Sequence, residues 1–167
     1  MPKGGGRQDA DLTGARSPPE AVLVLRATAR SGASAERLWA LFTGTRYWPA
    51  WGPSIRAVEP ADQTIESGSS GRVLTAAGLW LPFEITRLEP RVYWTWRVGG
   101  LEATGHRLAP DPAGGTRVTF ELPAWAFAYW PVCRTAAIRI ARLGESIDLS
   151  LIHISEPTRL KTRSRMP

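Results

Sequence analysis

The stretch Val92-Tyr-Trp-Thr-Trp-Arg-Val-Gly-Gly-Leu-Glu-Ala-Thr-Gly-His-Arg-Leu108 carries the pattern of two β-strands joined by a short turn. In Val92–Val98, apolar residues alternate with residues that suit a solvent-facing surface, which is typical of a strand with one buried face. Gly99-Gly100 then forms a hairpin-type connection. The sequence therefore predicts an antiparallel strand pair, Val92–Val98 and Leu101–Leu108.

Further strands are predicted on both sides of this pair, because apolar β-type runs alternate with clusters of Pro, Gly and Asp. Sequential strands joined by short loops favour antiparallel neighbours, so the expected sheet is a meander of six to seven strands. The other predicted strands are Ala21–Arg30, Ile55–Glu59, Gly71–Ala76, Leu79–Leu88 and Arg117–Leu122.

Helical patterns flank the meander. Ser34 is a plausible N-cap for a helix over Ala35–Phe42, and Thr45–Ser54 leaves room for at most another short helix. The longest helical candidate is Ala126–Asp148, whose start Pro131 delays or kinks. The fold class expected is therefore α+β: a curved antiparallel sheet whose concave face covers a long C-terminal helix, with two short helices after the first strand.

The two ends of the chain are predicted to lie outside this domain. Residues 1–19 are rich in Gly, Pro and charge, which favours disorder or an over-extended gene start. Leu149–Arg159 resembles a translated transposase adapter from a DNA-sequencing library, and Ser164–Pro167 resembles the flow-cell sequence that follows such an adapter. We therefore expect one domain over residues 20–148 and a non-native tail over 149–167.

Excluding that tail changes the electrostatics. The whole chain has a net charge of +6, but residues 1–148 hold 17 basic and 14 acidic groups, spread along the sequence. No basic patch for nucleic acid is predicted. A single cysteine excludes an intramolecular disulfide, and neither a membrane span nor a secretory signal is predicted, so the cytoplasm is the expected location. Nothing in the sequence indicates the oligomeric state.

Several ordered segments together resemble one known superfamily. They are Ala33-Ser-Ala-Glu-Arg-Leu-Trp39, Tyr47-Trp-Pro-Ala-Trp-Gly-Pro-Ser-Ile55, Gly99–His106 and Gly114–Phe120. Their order is similar to that of the SRPBCC superfamily, also called START-like or birch-pollen-allergen-like, and most of all to its polyketide cyclase/dehydrase branch. The resemblance implies a helix-grip fold with an apolar tunnel for lipids, polyketides, sterols or other hydrophobic molecules. It does not imply catalysis, because members include carriers, sensors, cyclases and co-chaperone-like proteins.

All eight tryptophans lie between Trp39 and Trp130, a density that implies either a heavily aromatic core or a wide apolar pocket. Trp48 and Trp51 have two interpretations: rings that gate a cavity mouth, which is where we place them, or a plug that closes the end of the core. Trp94 and Trp96 point either into a cavity or into a filled core. The residues predicted to line a cavity are Phe83, Trp94, Trp96, Thr104, Phe120 and Trp130.

The strand Leu101–Leu108 has two possible phases. If Glu102, Thr104 and His106 face inward, they form a polar row whose Glu and His could serve as an acid/base pair on an enolisable ketone. The other phase places small and apolar residues inside: Leu101, Ala103 and Gly105. Glu102 and His106 are thus the candidate catalytic residues, while the catalytic assignment itself stays open.

Other chemistry finds little support in the sequence. One His and one Cys before the tail leave few ways to build a metal or nucleophile site, so no metal and no cofactor is predicted. Cys133 fits a buried, inert thiol on the apolar stripe of the long helix. Three hypotheses follow: a binder of a small hydrophobic ligand between sheet and C-terminal helix, a cofactor-independent polyketide cyclase/dehydratase, or a co-chaperone-like interaction module with a filled core.

Overall fold

Seven antiparallel strands form one curved sheet in the computed structural model, which describes residues 23–146. The strand order is β1-β7-β6-β5-β4-β3-β2, so the six later strands follow one another as a meander and β1 pairs with the last of them. The elements are β1 (Val24–Ser31), α1 (Ala35–Thr43), a 3₁₀ turn (Thr45–Tyr47), α2 (Trp48–Trp51), β2 (Ile55–Glu59), β3 (Ser70–Thr75), β4 (Trp80–Glu89), β5 (Tyr93–Val98), β6 (Leu101–Pro110), β7 (Thr116–Pro123), a 3₁₀ segment (Ala124–Tyr129) and α3 (Trp130–Ser146).

This architecture confirms the predicted helix-grip α+β fold. The hairpin between β5 and β6 has φ values of 58° and 83° at Gly99 and Gly100, which side-chain-bearing residues rarely adopt. Ser34 is the N-cap of α1, as predicted, since its Oγ accepts a hydrogen bond from the Arg37 amide at 3.3 Å. The sequence thus places both the sheet turns and the first helix correctly.

The long helix begins later than its apolar pattern indicates. Pro131 lies in the first turn of α3, where its missing amide costs nothing, and the preceding residues Ala124–Tyr129 form a 3₁₀ segment instead. Helix α3 packs against β1 and β7 and contacts α1 and α2, so it closes one end of the sheet's concave face. The 3₁₀ segment Ala124–Tyr129, which we call the covering segment, lies over the other end of the concave face.

Residues 1–22 and 147–167 fall outside the described part of the chain. The predicted disorder of residues 1–19, the first residues of the predicted strand Ala21–Arg30, the last two of the predicted helix and the proposed foreign tail all lie there. Within residues 23–146, no helix is long and apolar enough to cross a membrane.

Candidate ligand-binding cavity

An aromatic cluster fills the half of the concave face that lies under α1, α2 and α3. Trp48 and Trp94 stack nearly parallel with ring centroids 5.6 Å apart, and Trp94 stacks on His106 at 3.7 Å. Phe42 and Phe120 meet these rings edge-on, which is a favoured aromatic geometry. These five rings are all buried, so this half of the fold is solid.

Trp48 and Trp51 close the carboxyl end of α1. The Trp48 indole N–H donates to the Phe42 carbonyl at 2.9 Å, and the Trp51 indole N–H donates to the Leu41 carbonyl at 3.0 Å. Both carbonyls lie in the last turn of α1, where no further helical amide is available to them. Both tryptophans are almost fully buried in the core and neither lines the cavity of about 670 Å³ described next, which favours the interpretation that they plug the end of the core over a position at the cavity mouth.

A cavity of about 670 Å³ opens beside this cluster, between the ends of β3 to β6 and the covering segment. Its size lies within the range of sites for small organic molecules. Its walls are mostly aliphatic and aromatic, with hydroxyl groups as the main polar atoms. The lining residues that recur below are Thr75, Trp96, Leu101, Ala103, Thr104 and Trp125.

No residue of α3 lines this cavity; Val132, Cys133 and Ala136 of α3 border a separate pocket of about 30 Å³ next to the aromatic cluster. The cavity of about 670 Å³ therefore lies between the sheet and the covering segment, whereas the sequence predicts a cavity between the sheet and the C-terminal helix. Trp51 lies beside α3 at the small pocket, and the stacked rings of Trp48 and Trp94 belong to the same buried cluster.

Of the six residues predicted to line a cavity, Trp96 and Thr104 do so. Phe83, Trp94 and Phe120 belong to the filled cluster instead. Trp130 is 38% exposed at the start of α3, and its indole N–H donates to the Arg26 carbonyl at 3.0 Å. Phe120 borders the pocket of about 30 Å³, and Phe83 borders another pocket of about 390 Å³. Alternation along a strand identifies the inner face but not whether a ring on that face meets this cavity or another ring, so it does not separate Phe83, Trp94 and Phe120 from Trp96.

The phase of β6 changes along the strand because of a β-bulge. Thr95 pairs with Gly105, whereas Arg97 pairs with Glu102, so two steps along β5 match three steps along β6. Thr104 and His106 consequently face inward, while Glu102 lies across from the outward-facing Arg97. Neither of the two predicted phases holds for the whole strand.

Glu102 and His106 therefore do not form a buried acid/base pair. The Glu102 side chain is 60% exposed and forms an ion pair with Arg97 at 3.0 Å. His106 is 1% exposed and is surrounded by aromatic rings. The predicted inner row of Glu102, Thr104 and His106 is corrected to a pair, Thr104 and His106.

A short hydrogen-bonded network connects that pair to the cavity wall. The Trp96 indole N–H donates to Thr104 Oγ1 at 3.2 Å, and Thr104 Oγ1 lies 3.3 Å from His106 Nε2. Burial lowers the pKa of His106 from 6.5 to about 3, because the charged imidazolium would lose its hydration in this apolar cluster. The imidazole is thus neutral at physiological pH.

The mouth of the cavity has an apolar rim. Leu101 on the β5–β6 hairpin is 67% exposed, and Trp125 on the covering segment is 70% exposed. The Tyr129 hydroxyl donates to Ser54 Oγ at 2.5 Å, which ties the end of the covering segment to the residue before β2. Leu101 belongs to one of the two phases predicted for its strand, whereas Trp125 and Tyr129 were not predicted to border a cavity. Their signal was the aromatic run Trp125–Tyr129 placed between Pro123 and Pro131, where a helix cannot continue unbroken.

Cys133 is buried on α3, as predicted, and burial raises the pKa of its thiol to about 11. A thiol with so little thiolate is a poor nucleophile. Among residues 23–146, no three His, Cys, Asp or Glu side chains are grouped so that they could hold a metal ion.

The curved seven-stranded sheet, the long C-terminal helix and the short helices after β1 define a helix-grip α+β protein with an apolar cavity. The sequence model of the family described as "Polyketide cyclase / dehydrase and lipid transport" matches residues 23–142, and the chain belongs to this family. The match confirms the resemblance found in the sequence. No curated protein matches the chain.

Solved structures share the fold at low sequence identity. A protein from Deinococcus radiodurans is 22% identical with a TM-score of 0.55, covering 72% of this chain and 95% of that chain. A protein from Mesorhizobium loti is 15% identical with a TM-score of 0.57, covering 76% and 100%. DynU16, named as a protein in the dynemicin biosynthetic locus, is 21% identical with a TM-score of 0.54, covering 74% of this chain and 47% of that one.

Proposed function

We propose that this protein binds one small, uncharged hydrophobic molecule, lipid-like or polyketide-like, in the cavity under the covering segment. The observation that carries the proposal is the cavity itself: about 670 Å³, walled by apolar side chains and open at one end. Membership of a family described by cyclisation, dehydration and lipid transport supports an apolar ligand.

The charges around the cavity favour an uncharged ligand. Glu102 is the charged residue of the wall, and its carboxylate is already paired with Arg97 at the rim. A ligand carrying a buried charge would therefore find no opposite charge deep in the cavity, and burying an unpaired charge is costly.

The two other hypotheses have less support from the geometry. The cyclase/dehydratase hypothesis relied on a buried Glu102–His106 pair, and the bulge in β6 separates these two side chains. The interaction-module hypothesis required a filled core, and the open cavity beside Trp96 counts against it. The proposal therefore assigns binding to the cavity and no chemical step to Glu102 or His106.

A dye titration with a cavity-filling variant tests the proposal. The probe is N-phenyl-1-naphthylamine, an uncharged dye that fluoresces strongly in apolar surroundings. We expect saturable binding of one dye per chain, and we expect Ala103→Phe to weaken it at least about ten-fold, because the added ring occupies space that the dye needs.

Ala61→Phe is the matched control, since Ala61 is exposed in the loop after β2 and does not line the cavity. This variant should bind the dye like the unsubstituted protein. Equal dye affinity in Ala103→Phe and Ala61→Phe, or no saturable binding to the unsubstituted protein, would refute the proposed function.

A further inference from the structure

Thr104 is the most deeply buried of the polar residues that line the cavity. It is 9% exposed, whereas the other polar lining residues all have larger exposed fractions: Ser54, Thr75, Glu102 and Tyr129. Tyr129 and Ser54 are already hydrogen-bonded to each other at the mouth of the cavity, because the Tyr129 hydroxyl donates to Ser54 Oγ. A ligand that enters the cavity therefore meets Thr104 as its innermost polar partner.

The hydroxyl of Thr104 retains one unused hydrogen-bonding position. A threonine hydroxyl can donate one hydrogen bond and accept two. The Trp96 indole can only donate, so it uses one acceptor position, and His106 Nε2 uses one more position of either kind. What remains is a donor if the imidazole donates to Thr104, and an acceptor if the imidazole accepts from it.

The partners of Thr104 hold its hydroxyl in place. His106 stacks on Trp94 with ring centroids 3.7 Å apart and meets Phe120 edge-on at 4.8 Å. Trp96 is itself 7% exposed and packs edge-on against Trp94. A polar group fixed by packed neighbours loses little freedom when it binds a ligand atom, which favours selective recognition.

We propose that Thr104 binds a single uncharged oxygen, hydroxyl or carbonyl, on an otherwise apolar ligand, and that Trp96 and His106 orient the Thr104 hydroxyl for this contact. The inference rests on the proposed function and names the ligand class more narrowly: an apolar molecule with one internal alcohol or keto oxygen. An acid such as a long-chain carboxylate does not belong to this class, because Thr104, Trp96 and His106 are all uncharged at neutral pH.

Two probes of nearly the same shape test the inference. They are 4-biphenylmethanol, which carries a hydroxyl, and 4-ethylbiphenyl, which carries a methyl in its place; each is measured by displacement of N-phenyl-1-naphthylamine. In Thr104→Val the side-chain shape is kept and the hydroxyl is lost. We expect the alcohol to bind about five-fold more weakly to this variant, while the affinity for 4-ethylbiphenyl changes less than about two-fold.

Three further variants serve as controls. Thr104→Ser should retain the unsubstituted protein's preference between the two probes. Thr135→Val should also retain it, because Thr135 is exposed on α3 and does not line the cavity. If Thr104→Val does not fold, as judged by circular dichroism, Thr104→Ala is measured with the same expected loss for the alcohol.

The outcomes separate this inference from the proposed function. If both probes bind the unsubstituted protein and Thr104→Val changes their affinities by the same factor, the role of Thr104 is overturned while the cavity remains a binding site. If neither probe displaces the dye from the unsubstituted protein, the proposed function itself fails. A loss for 4-acetylbiphenyl, which can only accept, in addition to the loss for the alcohol supports the inference and shows that Thr104 donates its proton.

Discussion

His106 occupies the centre of the aromatic cluster as a neutral group. Rings from α1, α2, β5 and β7 surround it, and all of them are uncharged: Phe42, Trp51, Trp94, Trp96 and Phe120. A proton on this imidazole would therefore have no opposite charge to stabilise it. In the unfolded chain the same imidazole is hydrated and has its ordinary pKa of 6.5.

This difference predicts a loss of stability in mild acid. The pKa of His106 is about 3 in the folded protein and 6.5 when unperturbed, so below pH 6.5 only the unfolded chain takes up the proton. Stability should fall by about 1.4 kcal/mol per pH unit below pH 6.5, or about 2 kcal/mol between pH 7.5 and pH 5. Urea unfolding at these two pH values measures the change.

The control is His106→Phe, which keeps a stacking ring and cannot be protonated. It should lack this part of the pH dependence, and because both proteins retain His153, the difference between them isolates His106. Equal losses of stability in the two proteins between pH 7.5 and pH 5 would show that His106 is accessible to protons in the folded state.

Among the secondary-structure elements, the covering segment Ala124–Tyr129 bears most directly on the proposed binding of a ligand. It lies over the cavity as a 3₁₀ segment, is joined to the residue before β2 through Tyr129 and Ser54, and carries Trp125 in the cavity wall. Phe127, two residues later, is equally exposed at 70% but does not line the cavity. The segment thus contains one ring that can contact a ligand and one that serves as its control.

We expect Trp125→Ala to accelerate dissociation of N-phenyl-1-naphthylamine about five-fold. Removing the indole removes apolar contact area worth on the order of 1 kcal/mol from the wall of the cavity. Stopped-flow dilution of the dye complex measures the rate. Phe127→Ala should dissociate at the rate of the unsubstituted protein, and an equal acceleration in both variants would mean that Trp125 does not contact the dye.

Strand β6 shows what could be predicted from the sequence at this scale and what could not. The strand and its hairpin at Gly99-Gly100 follow from alternation and turn chemistry, while alternation left two phases open, one of which places Thr104 and His106 inward. The outward position of Glu102 depends on one extra residue in the ladder, which no periodic pattern reveals. The candidate pair of Glu102 and His106 assumed one unbroken alternation along the strand, and the bulge interrupts that alternation between the two residues.

Over the whole molecule, the sheet and helices follow from local patterns, but the cavity follows from how large side chains share the concave face. The density of tryptophans predicted either an aromatic core or an apolar pocket, and the structure contains both, with Trp96 in contact with each. Trp48, Trp51 and Trp94 fill the end covered by α1, α2 and α3, which leaves the cavity at the end covered by Trp125. This division depends on how large side chains from distant segments of the chain pack together. The pattern of a single strand therefore could not assign Phe83 or Phe120 to the aromatic cluster.

Photolabelling with benzophenone, followed by peptide mass spectrometry, locates a bound apolar molecule on the chain and so tests whether the cavity is the binding site. We expect saturable labelling that N-phenyl-1-naphthylamine displaces, on peptides that contain Leu101–Thr104 or Trp125–Tyr129, since both segments line the cavity. Saturable labelling concentrated on α3, which borders the filled cluster instead, would show that the ligand binds elsewhere, as would labelling that the dye does not displace.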